Sequence, residues 1–506
     1  MNIKRLLIKG LTLSILFSSC SKFDDINTNP DAATKATASM MATALILNIT
    51  KQGGNKVFVY DNMLSKQIGW AENASSEQYN LFGRTSFDNY TILITAKKML
   101  EASSDIDKDS YSALALFIKA YKLFYVSLEV GDIPYSDALK GEEGVQKPMY
   151  DTQKDVMLQI LNDLDESYAL FSKGRKFDGD PIFEGNIDNW KKTVTAFQLK
   201  VLLHLSKKEA DTDLNVTSRF SQIVSTRELF SSNSDNFQLV YSNKAGQIYP
   251  FYKTETKHAD YAMLSNVIID NFKSLNDYRL FYFASPSKYQ IENGLDESDW
   301  NAFLSIDPSA LFSDLSLLAG EDKFCKLNTR YTNRPEGEPL IRLGYAEQNF
   351  ILAEAALRGW INEDANLLYK KGIRASMDFI TSNTPDEVAF HHNRPITDTY
   401  VNSYLEQEAI QLTGSKESDL EKIILQRYLA SFMQHPYDAY FDYRRTGYPK
   451  LPINPESNMN PVKDKIPVRW MYPEAEFNFN GENANEAVNR QFGGVDDVNK
   501  LMWILQ

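Results

Sequence analysis

Acidic residues at regular spacing are the first candidates for chemistry in this chain. Asp105, Asp107 and Asp109 match positions 1, 3 and 5 of an EF-hand calcium loop. The glycine needed at position 6 is replaced by Ser110, and the glutamate needed at position 12 is replaced by Leu116. The spacing therefore predicts no calcium loop in this segment.

A second acidic cluster consists of Asp178, Asp180, Glu184 and Asp188, with two glycines among them. We interpret it as a solvated turn before a helix, with Asp188 or Asn189 as the N-cap, because these residue types favour turns and helix N-termini. The chain also has only two cysteines, which excludes a metal cluster held by thiolates. No metal and no cofactor are predicted.

Catalytic signatures are missing from the sequence. It contains no G-x-S-x-G, no Walker loop, no G-x-G-x-x-G and no H-E-x-x-H. Of the histidines, His391 and His392 are adjacent in the chain, where neighbouring side chains point apart, and the others stand alone. A glycosidase needs two carboxylates that meet only in three dimensions, so its pair cannot be selected from sequence. We predict a protein that is not an enzyme.

The N-terminal segment has the pattern of a secretory signal. Lys4, Arg5 and Lys9 precede a short apolar run, after which small residues lead to Cys20. The run is too short to cross a bilayer, which takes about 20 apolar residues. The segment resembles a bacterial lipobox, so residues 1–19 are predicted to be a lipoprotein signal peptide and Cys20 the lipidated residue. Several acyl chains on one cysteine would anchor the protein stably.

Composition and net charge exclude some classes of binding partner. The 506 residues are 43% hydrophobic, with a mean hydropathy of -0.39, as expected for a soluble protein with a large core. The net charge of -13 repels phosphate backbones and anionic lipid. We therefore predict no nucleic-acid partner and contact with the membrane only through the lipid anchor. Cys325 is left without a disulfide partner and is expected to be a buried or idle thiol.

Apolar residues at helical spacing predict a mainly α fold. Thr152 has the position of an N-cap, and Gly359 that of a left-handed C-cap. The helices read as tetratricopeptide-like pairs that form a helical scaffold, although no strict 34-residue repeat is present. The clearest predicted helices are 111–130, 153–171, 190–205, 345–357, 365–380 and 420–432.

The composition and the apolar periodicity of the sequence change between about 215 and 340. Long periodic runs give way there to short segments rich in Ser, Asn, Asp and aromatic residues. Such a loop-rich part either packs onto the helices or presents aromatic rings to a ligand. We predict a body over 20–506, with a helical scaffold at about 35–215 and 340–450 and a loop-rich ligand-binding insertion at about 215–340.

Five ordered motifs resemble the SusD/RagB-like nutrient-binding outer-membrane lipoproteins of Bacteroidetes. Each motif is weak alone, but together they extend over nearly the whole chain and form a specific set. They are F-D-x-x-N-x-N-P at 23–30, G-D-I-P-Y-S-x-A at 131–138, A-E-A-x-x-x-G at 353–359, D-x-R-R-T-G-x-P at 442–449 and I-P-x-R-x-x-Y-P-x-x-E at 466–476.

The resemblance implies a lipoprotein of the outer membrane, facing the cell exterior. Such proteins sit as lids on a SusC-like TonB-dependent transporter and capture oligosaccharides, or in some branches peptides, before import. The motifs themselves look structural: Arg444 and Arg445 suit buried ion pairs or helix C-terminal carbonyls, and Gly131 suits a helix end. We assign none of the motif residues to the ligand.

Ligand contact in this family is usually made by exposed aromatic residues. A pyranose presents C–H bonds that stack on an aromatic face, and its hydroxyls need polar partners. Trp70 and Trp300 lie in polar segments and are the first candidates, followed by Tyr79, Tyr282 and Tyr331. For each of these the alternative is a place in the core.

Two other functions remain open at this stage. One is a surface glycoside hydrolase whose carboxylate pair is invisible in the sequence. The other is a periplasmic tetratricopeptide-type scaffold that binds protein partners. The sequence names neither the ligand nor the transporter.

Overall fold

A computed structural model describes residues 36–255 and 258–506. Cys20 and the motif at 23–30 lie outside these residues. The described residues are mainly helical, which confirms the predicted fold class. None of their helices is long and apolar enough to cross a membrane.

Long helices occupy both ends of the described chain, and short helices lie between them. Every helix between 227 and 339 has nine residues or fewer, where the sequence loses its long apolar periodicity. The helices are α1 (Ala38–Thr50), α2 (Tyr60–Leu64), α3 (Thr91–Ala102), α4 (Lys108–Val130), α5 (Gln153–Lys173), α6 (Ile187–His204), α7 (Val216–Thr226), α8 (Asn266–Ser274), α9 (Arg279–Phe283), α10 (Lys288–Glu292), α11 (Phe312–Gly320), α12 (Thr329–Thr332), α13 (Tyr345–Arg358), α14 (Ala365–Ser382), α15 (Val388–His391), α16 (Asp398–Leu405), α17 (Lys416–Ala430), α18 (Pro436–Thr446), α19 (Glu474–Phe479) and α20 (Gly481–Phe492).

Four short strands pair across long stretches of sequence in the described part. Strand β1 (Ile68–Trp70) pairs antiparallel with β3 (Ala262–Leu264), and Trp70 stands opposite Ala262. Strand β2 (Phe237–Leu239) pairs antiparallel with β4 (Leu340–Leu343). These pairings fasten the loop-rich part to the helical part.

Helix ends follow the capping rules at most of the predicted places. The Thr152 hydroxyl accepts a hydrogen bond from the Asp155 amide at the start of α5, and Gly359 ends α13 with φ of 80°. At α6 the predicted N-cap was wrong. The Asn186 side chain caps that helix by accepting from the amides of Asp188 and Asn189.

The acidic cluster before α6 is a largely solvated turn, as predicted: Asp178, Glu184 and Asp188 are exposed, and Asp180 is the buried exception. The Asp180 carboxylate accepts hydrogen bonds from the amides of Ile182 and Gly185, at 2.9 and 3.0 Å, and from the Trp190 indole at 2.8 Å. This carboxylate therefore fixes the loop against the helix that follows it. Cys325 is buried as expected, and burial raises the pKa of its thiol to about 12.

A buried network of ion pairs joins helices α6, α13, α17 and α18. The Lys200 ammonium lies 2.9 Å from a Glu347 carboxylate oxygen and 2.7 Å from one of Asp438. The Arg427 guanidinium continues the network by pairing with Glu347 at 2.8 Å and with Asp442 at 2.9 Å. Alternating charges therefore hold the four helices in register.

Two of the family motifs meet in this network. Arg445 forms a two-pronged ion pair with Glu354, with N–O distances of 2.5 and 2.8 Å, and also pairs with Asp442 at 2.9 Å. The neighbouring Arg444 donates to the Val468 carbonyl at 2.7 Å. Glu354 belongs to the motif at 353–359, and the other paired residues to that at 442–449, so both motifs are scaffold as predicted.

Candidate functional site

The structure buries four of the five aromatic residues chosen from the sequence. Trp70 and Tyr331 are 0% exposed, and Tyr79 and Tyr282 are 4% exposed. Trp300 is half-buried, with its ring 4.8 Å from that of Phe281. Of the two places left open for them by the sequence, Trp70, Tyr79, Tyr282 and Tyr331 therefore occupy the one in the core. Their role in ligand binding remains untested.

Each buried tyrosine uses its hydroxyl inside the protein. The Tyr79 hydroxyl donates to the Ala310 carbonyl at 2.9 Å, and the Tyr282 hydroxyl accepts from the Ile396 amide at 3.2 Å. The Tyr331 hydroxyl accepts from the Arg330 guanidinium at 2.5 Å. A buried tyrosine satisfies its polar end in this way, and these rings have the environment of core residues.

Trp70 nevertheless forms the floor of a candidate site at the surface. Its ring lies 5.9 Å from the ring of Tyr261 and 6.2 Å from that of His258, and the last two rings are 6.0 Å apart. Glu72 and Lys56 complete this group, which we call the Trp70 cluster. The cluster is built from three aromatic rings and two charged side chains.

The pairing of β1 with β3 creates the cluster. Trp70 is the last residue of β1, and Tyr261 directly precedes β3. The Ala71 amide donates to the Tyr261 carbonyl at 3.0 Å, extending the strand pairing by one step. Two loops that are distant in sequence therefore end side by side, with their aromatic rings in contact.

Polar groups surround the rings. The Glu72 carboxylate accepts from the Trp70 indole at 3.4 Å and lies 3.7 Å from His258 Nδ1. The Lys56 ammonium lies 5.3 Å from the centre of the Trp70 ring and donates to the Asn73 side chain at 2.7 Å. Burial lowers the pKa of Lys56, and the charges of nearby glutamates oppose this effect.

The residues that cover Trp70 in the cluster are partly open to solvent. Tyr261 is 36% exposed, and the side chains of His258 and Glu72 are 34% and 38% exposed. An exposed ring beside a carboxylate, an imidazole and an amide offers both a stacking face and partners for hydroxyl groups. This arrangement can bind a sugar without any covalent step.

Of the Trp70 cluster, only Trp70 itself is among the candidates selected from the sequence. Lys56, Glu72, His258 and Tyr261 were not selected, because no local pattern links them to one another. Tyr261 was visible only as one aromatic residue among many in the loop-rich part. The polar residues that follow Trp70 in the sequence were the one local feature that could have indicated a binding site here.

A group of three possible metal ligands lies in the ion network and is already occupied by an ammonium. Suitable atoms of Glu347, His435 and Asp438 all lie within 4.8 Å of one another. The Lys200 ammonium sits within 3 Å of both carboxylates and supplies the positive charge there. The three residues are therefore part of the scaffold's ion pairing.

Comparison with known proteins defines the class. The chain matches, over residues 30–473, the model of the family SusD-like_2, described as starch-binding and associating with the outer membrane. Together with the helical fold, this match establishes that the chain belongs to the SusD-like family. No curated protein matches the chain.

Solved structures of SusD homologues resemble this chain over nearly its full length. One from Bacteroides fragilis NCTC 9343 is 56% identical, with a TM-score of 0.91, and the match covers 93% of this chain and 100% of that one. A second from the same strain is 32% identical, with a TM-score of 0.82 and the same coverage. A chitin-binding SusD homologue from Flavobacterium johnsoniae shares the fold at 20% identity, with a TM-score of 0.72 and coverage of 93% and 98%.

Proposed function

We propose that the protein is a cell-surface lipoprotein that binds oligosaccharides and delivers them to a SusC-like TonB-dependent transporter. The observation that carries the proposal is the exposed Tyr261 ring on the buried Trp70, with Glu72 and His258 beside it. The family description of starch binding and the chitin-binding homologue support a glycan as the ligand. Binding is non-covalent, and the protein itself cleaves nothing.

The ligand-binding surface lies where the loop-rich part meets the helical scaffold. Tyr261 and His258 come from the predicted insertion at 215–340, and Trp70 and Glu72 come from the N-terminal scaffold segment. The pairing of β1 with β3 holds the two contributions together. A ligand at this surface contacts both parts at once.

Replacing Tyr261 with Ala is expected to weaken oligosaccharide binding by about two- to tenfold, because one aromatic contact is worth about 0.5–1.5 kcal/mol. The measurement is calorimetric titration with malto-oligosaccharides, chito-oligosaccharides and short peptides. Tyr289→Ala is the matched control: Tyr289 is similarly exposed, at 39%, and its ring contact is with Lys323. Equal affinities of the two variants would reject the Trp70 cluster as the site.

Catalysis is tested in the same samples. The proposal expects each bound oligosaccharide to be recovered intact after prolonged incubation with the protein. Release of new reducing ends by wild-type protein would instead support a surface glycoside hydrolase.

Replacing Cys20 with Ser is expected to release the protein from the membrane, because the serine cannot carry the thioether-linked lipid and the acidic body has no affinity of its own for anionic lipid. Detergent phase partitioning of cell extracts measures this change.

Wild-type protein on intact cells should also react with an impermeant label and co-purify with a large barrel. Retention of the variant in the detergent phase would contradict the anchor, and a soluble partner would favour a periplasmic scaffold.

A further inference from the structure

A polar cleft of about 260 Å³ opens between α1, α2, α4, β4 and the start of α18. It shares no residue with the Trp70 cluster. Charged side chains line it from several elements, with Asp61 on α2, Lys122 and Glu129 on α4, and Arg342 on β4. Amide side chains of Asn48, Gln52 and Asn89 lie among them.

Three of these charged groups form no ion pair within 4.0 Å among the described residues. Within that part of the chain, the Asp61 carboxylate accepts no hydrogen bond, and the Arg342 charge stabilises it only from beyond 4.0 Å. The Lys122 ammonium contacts only the Asn89 side chain, at a long 3.4 Å. The Arg342 guanidinium donates to the Thr50 carbonyl at 3.1 Å and to the Gln52 side chain at 2.9 Å, both neutral groups.

Partial burial makes these unpaired charges costly, since Asp61, Lys122 and Arg342 are half-buried. It raises the pKa of Asp61 to about 6 and lowers the pKa of Lys122 to about 8, and in each case burial is the largest cause. The pKa of Glu129 is also raised by burial, although Thr85 and Tyr437 each donate a hydrogen bond to it at 2.6 Å. The cleft therefore combines partly desolvated carboxylates with partly desolvated cationic groups.

The ion network beside the cleft shows how this protein otherwise treats buried charge. Asp438, which also lines the cleft, is paired with the Lys200 ammonium at 2.7 Å and accepts from the Tyr125 hydroxyl at 2.9 Å. Buried charges are normally paired because an isolated one is destabilising. Charges left open toward a cleft, next to others that are fully paired, mark a place for a ligand that brings its own charges.

We propose that this cleft binds a small zwitterion, such as a free amino acid or a very short peptide. Its ammonium pairs with the Asp61 carboxylate, with Glu129 alongside, and its carboxylate pairs with Lys122 and Arg342. The neighbouring amide side chains supply hydrogen bonds to the rest of the ligand. A neutral sugar would leave all of these charges uncompensated.

The test uses purified full-length protein and two isosteric or near-isosteric variants. Calorimetric titration is carried out with the common L-amino acids and glycylglycine, followed by the N-acetyl and C-terminal amide forms of the strongest binder. Asp61→Asn removes the carboxylate and Lys122→Met removes the ammonium. Lys98→Met, on the exposed surface of α3, is the matched control.

Each variant should lose affinity for one end of the ligand only. Asp61→Asn is expected to weaken binding of the free amino acid about tenfold or more and to leave the N-acetyl form unchanged, since that form has no ammonium. Lys122→Met should weaken the free amino acid by a similar factor and leave the amide form unchanged. Lys98→Met should bind every probe as the wild type does.

Several results would overturn the proposal. They are the absence of saturable binding by any of the zwitterions, binding that both variants leave intact, and binding that Tyr261→Ala abolishes. Folding of the variants is checked by thermal unfolding at neutral pH, where Asp61→Asn should raise the midpoint because an uncompensated buried charge is gone. A lowered midpoint for Asp61→Asn would show that the carboxylate is already compensated and would equally reject the proposal.

Discussion

Replacing Lys200 with Met is expected to lower the free energy of unfolding by about 3–5 kcal/mol. Lys200 is completely buried, and its ammonium is shared by the carboxylates of Glu347 and Asp438 at 2.9 and 2.7 Å. Methionine keeps the apolar stem but removes the charge, so two buried carboxylates lose their common partner. Chemical denaturation monitored by circular dichroism measures the change.

The loss of stability caused by Lys200→Met is expected to be larger at neutral pH than in acid. Burial opposes the ionisation of Glu347, but the charges of Lys200, His435 and Arg427 outweigh it and hold its pKa below the ordinary value. A carboxyl whose pKa is depressed in the folded state contributes stability above its unfolded pKa of about 4, and this contribution is lost as the pH falls. Wild type and variant should therefore differ most near neutral pH and converge in acid.

An exposed ion pair provides the control for this substitution. Lys98 pairs with Glu101 at 2.9 Å, and about half of each side chain is exposed. Lys98→Met should leave the free energy of unfolding nearly unchanged, because an exposed ion pair contributes little. Equal effects at Lys98 and Lys200 would contradict the role assigned to the buried network.

Replacing Arg330 with Met is expected to have a similarly large effect, about 3–5 kcal/mol, centred on the loop-rich part. The buried Arg330 guanidinium lies 2.7 Å from the Glu338 carboxylate and donates to the Tyr282 carbonyl at 2.7 Å. It also donates to the Tyr331 hydroxyl. Loss of the charge leaves Glu338 buried with a single donor, the Gln434 side chain at 2.6 Å.

A double variant separates the charge effect from the loss of packing. In Arg330→Met with Glu338→Leu, no unpaired carboxylate remains, so part of the stability should return. Urea denaturation of the wild type, the single variant and the double variant measures this difference. A double variant that is less stable than Arg330→Met would show that the ion pair is not the main contribution at this position.

The scaffold could be predicted from the sequence because its signals are local. The apolar spacing of 153–171 predicts α5, observed over Gln153–Lys173, and Thr152 caps it as expected. At α6 several acidic and amide residues were equally suitable caps, and only the three-dimensional course of the loop selects Asn186.

The candidate site could not be predicted because it depends on contacts between distant segments. The polar residues around Trp70 suggested an exposed loop. Gln67 is in fact buried, and its side-chain amide donates to the Tyr428 carbonyl at 3.2 Å and to the Ser431 hydroxyl at 2.9 Å. Pairing of β1 with β3 then buries Trp70 and brings Tyr261 to the surface beside it.

For Tyr282 and Tyr331 the sequence leaves both a binding loop and the core open, for a related reason. Their segment is aromatic and lacks periodicity, which is equally typical of a binding loop and of a core without long helices. Arg330 decides between these possibilities by holding both residues in the interior. The sequence contains no local sign that this arginine is buried.

Hydrogen–deuterium exchange with and without a bound oligosaccharide tests the central claim most directly, because it reports binding and its location together. The account predicts that malto- or chito-oligosaccharides slow exchange in the segments 69–73 and 258–262, on either side of the Trp70 cluster. Unchanged exchange with every oligosaccharide tried, or protection confined to other segments, would contradict it.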